Sequence, residues 1–249
     1  MKVLGVIPAR FNSKRFPGKP LSLILNKPMI QHVFERSMLA KKLNKVVVAT
    51  DDKRIYDAVK DFEGEVVMTD ENIHTGTDRV YHASKALDYE IVLNIQGDEP
   101  LIEPELLDLI VEEFEKEIDI DVVTPIRKAE TIDEVKNPNM ARVVIDKNGF
   151  ALYFSRAAIP YNRDLSEGKW LDNHTYYKHI GIYGYRKVFL EKFVNMGTSG
   201  LENVEKLEQL RILENGYRIK TVLTVYNPVC VDLPEDIKNV ERVMKERHH

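Results

Sequence analysis

Two kinds of hydrophobic pattern alternate along the chain. Val3–Ile7, Lys45–Ala49, Glu65–Met68, Ile91–Ile95 and Asp121–Pro125 are short runs of nearly continuous apolar residues, which predict strands buried on both faces. Residues 28–40, 52–62, 77–88 and 104–117 repeat their apolar positions every three or four residues, which predicts amphipathic helices. In the last of these, Leu106, Leu107, Ile110, Val111 and Phe114 form one stripe, with Glu112, Glu113 and Glu115 off it. Strand–helix alternation through the first half predicts an α/β fold with a mostly parallel sheet flanked by helices. Ligands of such a sheet bind beyond the carboxyl ends of its strands. Residues 140–186 change character, being rich in Tyr, Arg and β-branched residues. A strand is predicted over Tyr176–Tyr185, a helix over Leu201–Glu214, a strand over Arg218–Val225 and a last helix after Pro234. No repeat and no linker rich in Gly, Ser or Pro separates the halves, so the expectation is one domain over 1–249 with an inserted lobe at approximately 125–190.

Composition narrows the function classes. With 249 residues, 43% of them hydrophobic and 31% charged, the chain is long and apolar enough for a sizeable core and does not read as disordered. A net charge of −4 argues against a chain-wide nucleic-acid footprint. No apolar run approaches the ~20 residues that a bilayer requires, and the opening Met1–Pro8 is broken too early by proline for a signal peptide, so the expected location is the cytoplasm. The lone Cys230 excludes an intrachain disulfide and a cysteine-based zinc cluster.

Three loops carry candidate chemistry. After the first strand, Pro8-Ala9-Arg10-Phe11-Asn12-Ser13-Lys14-Arg15-Phe16-Pro17-Gly18-Lys19-Pro20 sets four cations, Arg10, Lys14, Arg15 and Lys19, at a strand's carboxyl end. A triphosphate needs such a cluster, with arginine forks and a lysine point charge; a solvated basic loop is the other reading. Neither a Walker loop nor a dinucleotide fingerprint occurs. In Asn94-Ile95-Gln96-Gly97-Asp98-Glu99-Pro100 a buried strand ends in Gly and two carboxylates, which suits either a turn or a magnesium ligand at Asp98. Asp232, in Val231-Asp232-Leu233-Pro234, either caps the final helix or joins Asp98 at one cation, the arrangement that nucleotidyl transfer needs. No nucleophile for a covalent intermediate is evident.

At these loops the sequence closely resembles the 3-deoxy-manno-octulosonate (Kdo) cytidylyltransferases, the CMP-Kdo synthetases of lipopolysaccharide biosynthesis. The matching stretches are Ile7–Arg10 through Pro17–Pro20, Lys27–Ile30, Val48–Asp51, Thr75–Arg79 and Asn94–Pro100, followed by Tyr153–Arg156, His179–Tyr185, Leu207–Arg211 and Val231–Asp236. The resemblance implies a nucleotide-diphospho-sugar transferase-like sheet with an inserted dimerisation and sugar lobe, a homodimer, and Mg2+-dependent conversion of CTP and Kdo to CMP-Kdo and pyrophosphate. It implies that Arg10, Arg15 and Lys19 hold the triphosphate, that Ala9, Thr75, Gly76, Arg79 and Gln96 complete the nucleotide site, and that Asp98 and Asp232 bind magnesium. Asp98, Asp232, Lys19 and Arg10 would be the catalytic set, and Arg156, His179, Tyr183, Glu208 and Gln209 would contact the sugar acid. Thr75 and Asp78 depart mildly from the Ser and Glu common in the family. On pattern alone, Glu208 and Gln209 read as a helix face beside the stripe Leu201, Val204, Leu207 and Leu210, and His179 and Tyr183 as one face of a strand.

Overall fold

Buried strands with no polar face need cover on both sides, and the first half of the chain supplies it with helices. The computed structural model describes residues 1–13 and 15–247. Lys14, one of the four cations of the front loop, and the terminal His248 and His249 lie outside the described residues. Contacts divide the chain into two compact units, Met1–Val111 with Pro228–His249, and Glu112–Asn227. The lobe expected at 125–190 falls within the second.

In the first unit, β1 (Val3–Ala9) is followed by a two-residue hairpin, β2 (Leu23–Ile24) and β3 (Lys27–Pro28), and by α1 (Met29–Met38). Then come β4 (Lys45–Thr50), α2 (Lys53–Asp61), β5 (Val66–Met68), α3 (Gly76–Ser84), β6 (Ile91–Asn94) and α4 (Pro104–Lys116). The strands lie in the order β5-β4-β1-β6 and all pair in parallel, Val6 facing Val47 on one side and Asn94 on the other. The N-termini of the helices that follow β4 and β5 are closed by side chains. Asp52 accepts from the Arg54 amide at α2, and Thr75 from the Asp78 amide at α3.

In the second unit, β7 (Val122–Lys128), α5 (Ile132–Lys136), β8 (Arg142–Ile145), β9 (Ala151–Ser155), α6 (Trp170–Asn173), β10 (Tyr177–His179) and β11 (Tyr183–Arg186) come first. They are followed by α7 (Lys187–Val194), α8 (Gly200–Glu205), α9 (Leu210–Glu214) and β12 (Lys220–Leu223). β7 pairs antiparallel with β10 and β11 and parallel with β12, while β8 pairs antiparallel with β10 and β9. The chain returns to the first unit and closes with α10 (Asp236–Arg247).

Two predicted elements break. The run Tyr176–Tyr185 is two strands, because the backbone turns at 180–182, where the Ile182 amide reaches back to the Ile180 carbonyl at 2.8 Å. The run Leu201–Glu214 is two helices, because Lys206 takes a left-handed conformation (φ 54°) and ends α8. Its apolar stripe was misleading: Val204 is 82% exposed, and burial falls to Leu207 and Leu210.

Candidate functional site

The front loop returns on itself immediately after β1. The Gly18 amide donates to the Phe11 carbonyl at 2.8 Å, and Gly18 has φ +73°, a conformation that side chains rarely adopt. A 3-10 turn over Lys19–Leu21 follows and directs Lys19 back over the sheet. Beyond β6, Gly97 packs so close to β1 that a Cβ there would lie 2.9 Å from the Pro8 carbonyl oxygen. These two glycines let the loops after β1 and β6 meet.

Apolar packing brings the third loop in. Val231 is fully buried in a cluster with Ile24, Met29, Leu101, Val240 and Met244, against which Phe16 of the front loop also packs. The Val231 amide donates to the Asp98 carbonyl at 2.9 Å. With Val231 pinned, Asp232 faces the front loop. Its carboxylate accepts from Arg15 Nη2 at 2.7 Å and lies 4.0 Å from Lys19 Nζ. Lys19 Nζ donates to Asp98 Oδ2 at 2.8 Å and to the Val231 carbonyl at 2.9 Å. One ammonium therefore lies within reach of both carboxylates. Asp232 stands four residues ahead of α10, so its carboxylate is not at the helix N-terminus, and the Asp236 carboxylate reaches back to accept from the Asp232 and Leu233 amides.

Above this cluster is a cavity of about 290 Å³ lined by Ala9, Arg10, Lys19, Gly76, Arg79, Gln96 and Asp98 among the expected residues. Asn12, Ser13 and His74 line it too, and the sequence reading passed over them. Asn12 and Ser13 stand inside the quoted front loop, where the cations drew attention away from short polar side chains. His74 had no signal beyond its place beside Thr75. Thr75 acts as the cap of α3, and Arg15 is exposed on Asp232. Arg10 Nη2 donates to the Ile73 carbonyl. Arg79 is wholly buried and ion-paired with Asp51 at 2.5 Å, so its charge is already matched inside the protein. The Cys230 thiol is pushed well above its ordinary range, by desolvation first and then by the charges of Glu99, Asp98 and Asp232, which makes it a poor nucleophile.

The five residues expected to contact a sugar acid all fall in the second unit. Arg156 is anchored by its amide on Glu205 Oε2 at 2.9 Å, and its guanidinium donates to the carbonyls of Glu205, Pro138 and Lys206. His179 Nε2 lies 2.9 Å from the Thr124 hydroxyl, and its ring meets Phe154 edge-on at 5.1 Å and Tyr183 at 5.3 Å. His179 and Tyr183 are thus neighbours, but on two strands joined by the 180–182 turn, not on one face of a single strand. Burial lowers the His179 pKa to about 3 and, with the charge of Glu208, raises that of Tyr183 well above 10. At neutral pH the first is an uncharged imidazole and the second a protonated phenol. Among the described residues, the buried Gln209 Nε2 has no hydrogen-bond partner.

A cytidylyltransferase family profile matches residues 4–220. The chain belongs to the cytidylyltransferase family. It is 46% identical to the 3-deoxy-manno-octulosonate cytidylyltransferase of Thermodesulfovibrio yellowstonii, over 98% of each chain. It is also 46% identical to the 8-amino-3,8-dideoxy-manno-octulosonate cytidylyltransferase of Shewanella amazonensis, over 98% of this chain and 99% of that one. A solved CMP:2-keto-3-deoxy-manno-octonic acid synthetase complexed with CTP superposes with a TM-score of 0.93 at 37% identity, covering 99% of this chain and 100% of the other. The enzyme is therefore a nucleotidyltransferase with the nucleotide-diphospho-sugar transferase fold.

A divalent cation fits the carboxylate pair of this cytidylyltransferase. Asp98 and Asp232 offer hard oxygen donors on either side of a position already taken by a positive charge, the Lys19 ammonium. Among the described residues no cluster of three or more His, Cys, Asp or Glu is poised to hold a metal by itself. No helix among the described residues is long and apolar enough to cross a membrane.

Proposed function

We propose that the chain transfers the cytidylyl group of CTP to Kdo, giving CMP-Kdo and pyrophosphate for lipopolysaccharide assembly, with Mg2+ as cofactor, in the cytoplasm and as a homodimer. The observation that carries this reading is the convergence of Asp98, Asp232 and Lys19 beneath a cavity lined by Arg10 and Gln96. The matching motifs in both halves of the chain support the sugar acid and the dimer.

In this reading Lys19, Arg10 and Arg15 bind the triphosphate and hold the charge that accumulates on the departing pyrophosphate. Asp98 and Asp232 would hold Mg2+, which when bound supplies further neutralisation of phosphate charge. Arg156 meets the sugar carboxylate, and Tyr183, His179, Glu208 and Gln209 meet its hydroxyls. The anomeric oxygen forms its bond to the α-phosphorus as the bond from that phosphorus to the bridging oxygen breaks; the electron pair leaves on pyrophosphate and the hydroxyl proton is released to water. His179 is too weakly basic to take the proton at neutral pH and acts as a hydrogen-bonding partner.

The test is pyrophosphate release from CTP with Mg2+ and Kdo, run beside the 8-amino-3,8-dideoxy analogue and a sialic acid. Turnover with Kdo well above the other two is expected. No pyrophosphate with any of the three acids refutes the reaction, and preference for another acid refutes the assignment of Kdo.

A further inference from the structure

Asp51 lies outside every role assigned above, yet it is the counter-ion of a fully buried arginine beneath one wall of the nucleotide cavity. Its carboxylate, just beyond β4, meets Arg79 Nη2 at 2.5 Å. The same guanidinium donates from Nη1 to the Thr69 hydroxyl and from Nη2 to the Ile73 carbonyl at 3.3 Å. Residues 69–75 form the loop between β5 and α3. The loop is tied to the sheet by the Thr69 amide on the Thr50 carbonyl at 2.8 Å, and within itself by the Ile73 amide on the Asp70 carbonyl at 3.3 Å and the Asn72 amide on Asp70 Oδ1 at 2.8 Å. His74 and Gly76, at the far end of this loop, line the cavity. One side chain therefore bridges Thr69 and Ile73 within this wall, and Asp51 pairs with that side chain and orients it inside the protein.

The Ile73 carbonyl also accepts from Arg10 Nη2, so one oxygen receives two arginines. Because the Arg79 charge is matched by Asp51, this wall presents no spare cation to a phosphate. Of the other cations that line the cavity, Arg10 donates to a neutral carbonyl and Lys19 is ion-paired with Asp98. A neutral wall suits the nucleoside, and a cationic one suits the triphosphate.

We propose that Asp51 is a positioning residue for the nucleoside part of the nucleotide: by locking Arg79 it fixes the 69–76 wall, and so sets affinity for cytidine without contributing to phosphate or sugar-acid binding. This rests on the reading of the cavity as a CTP site, which wild-type turnover of CTP establishes separately. A wild-type enzyme with no CTP turnover defeats that reading and leaves the clamp to be judged by cytidine binding in calorimetry.

The test is Asp51→Asn, which keeps the shape and removes the charge. The KM for CTP and the inhibition constant of CMP should rise about tenfold. The inhibition constant of pyrophosphate and the KM of the sugar acid should stay within about twofold. Discrimination of CTP against UTP should fall. Asp51→Glu should recover part of the loss. Equal weakening of CMP and pyrophosphate, or no change in either, overturns the proposal. If Asp51→Asn does not fold by circular dichroism, Thr69→Val removes a single acceptor of the clamp, and the same split between CMP and pyrophosphate, smaller in size, is required of it.

Discussion

Lys19 occupies the position that a divalent cation would share with it, and this has a counter-intuitive consequence. Its ammonium donates to Asp98 at 2.8 Å and lies 4.0 Å from Asp232, with the lysine side chain only 15% exposed. Before the two carboxylates can take a metal, that attraction has to be given up. A hydrogen bond to a charged group contributes about 1.5–3 kcal/mol in a protected setting. Asp98 is 28% and Asp232 46% exposed, which brings the competing energy to just below that range, about 1.4 kcal/mol or tenfold in affinity. Lys19→Met keeps most of the aliphatic length and removes the charge. In the absence of nucleotide it should bind Mn2+ about tenfold more tightly than wild type, while losing affinity for CTP. Electron paramagnetic resonance of free Mn2+ during titration reads this without any turnover, and Asp98→Asn, which removes one ligand, is the opposite control. Folded Lys19→Met protein that binds Mn2+ no more tightly than wild type would refute the idea that the ammonium and the metal compete for one pair of carboxylates.

Asp98→Asn should lower turnover more than a hundredfold while urea unfolding stays cooperative with an unchanged slope; near-normal turnover removes Asp98 from the essential set. Arg156→Ala should raise the KM of the sugar acid about tenfold and leave that of CTP alone, although the loss of its bonds to the Glu205 and Pro138 carbonyls should also lower the melting temperature. Tyr183→Phe removes a wholly buried phenol oxygen and should change stability by no more than about 1 kcal/mol, yet should raise the sugar-acid KM. Lost stability with an unchanged KM would make that tyrosine structural. His179 stays neutral to about pH 3 when folded, against 6.5 ordinarily, so the unfolded chain takes up a proton in between that the folded chain does not. Its contribution to stability is complete above about pH 6.5 and declines as pH falls toward 3, by up to about 1.4 kcal/mol per pH unit. His179→Gln should flatten that acid limb in unfolding free energies measured across the same window, and an identical slope in both proteins counts against a buried neutral imidazole.

The first unit is the part of the molecule that a linear reading captures best. Val46, Val47, Val48 and Ala49 are all buried because a parallel strand covered on both faces has no polar side, and continuous apolar runs are therefore an unambiguous signal. The second unit is less legible because short-range signals there compete with long-range contacts. Leu201, Val204, Leu207 and Leu210 have helical spacing, but Lys206 ends the helix between them in a left-handed conformation for which a lysine gives no warning. The strand expected through 176–185 fails at a turn held from outside the segment, where Thr124 of β7 bonds to the Ile180 and Ile182 carbonyls. Arg79 illustrates a different limit. A motif can place an arginine beside a ligand, but whether its charge faces that ligand or an internal carboxylate depends on Asp51, which reaches it from the end of another strand.

The candidate cation site shows most clearly where chemistry depends on packing. Asp98 is explicable locally, because β6 ends there and Gly97 allows the close approach to Pro8. Asp232 is not, because its own segment reads as the start of a helix. What decides its role is its neighbour Val231, whose side chain is fully buried among Ile24, Leu101 and Met244 and whose amide is spent on the Asp98 carbonyl. With one apolar side chain and one backbone bond fixed, the next residue along the chain presents its carboxylate to Lys19 and Arg15, and Asp236 holds the Asp232 amide from the first turn of α10. The acidity of the site is thus written in two aspartates, but their juxtaposition is the work of a hydrophobic cluster that carries no chemistry of its own. A cavity-forming change at Val231 should for that reason damage cation binding as surely as a change at Asp232, although it removes no ligand.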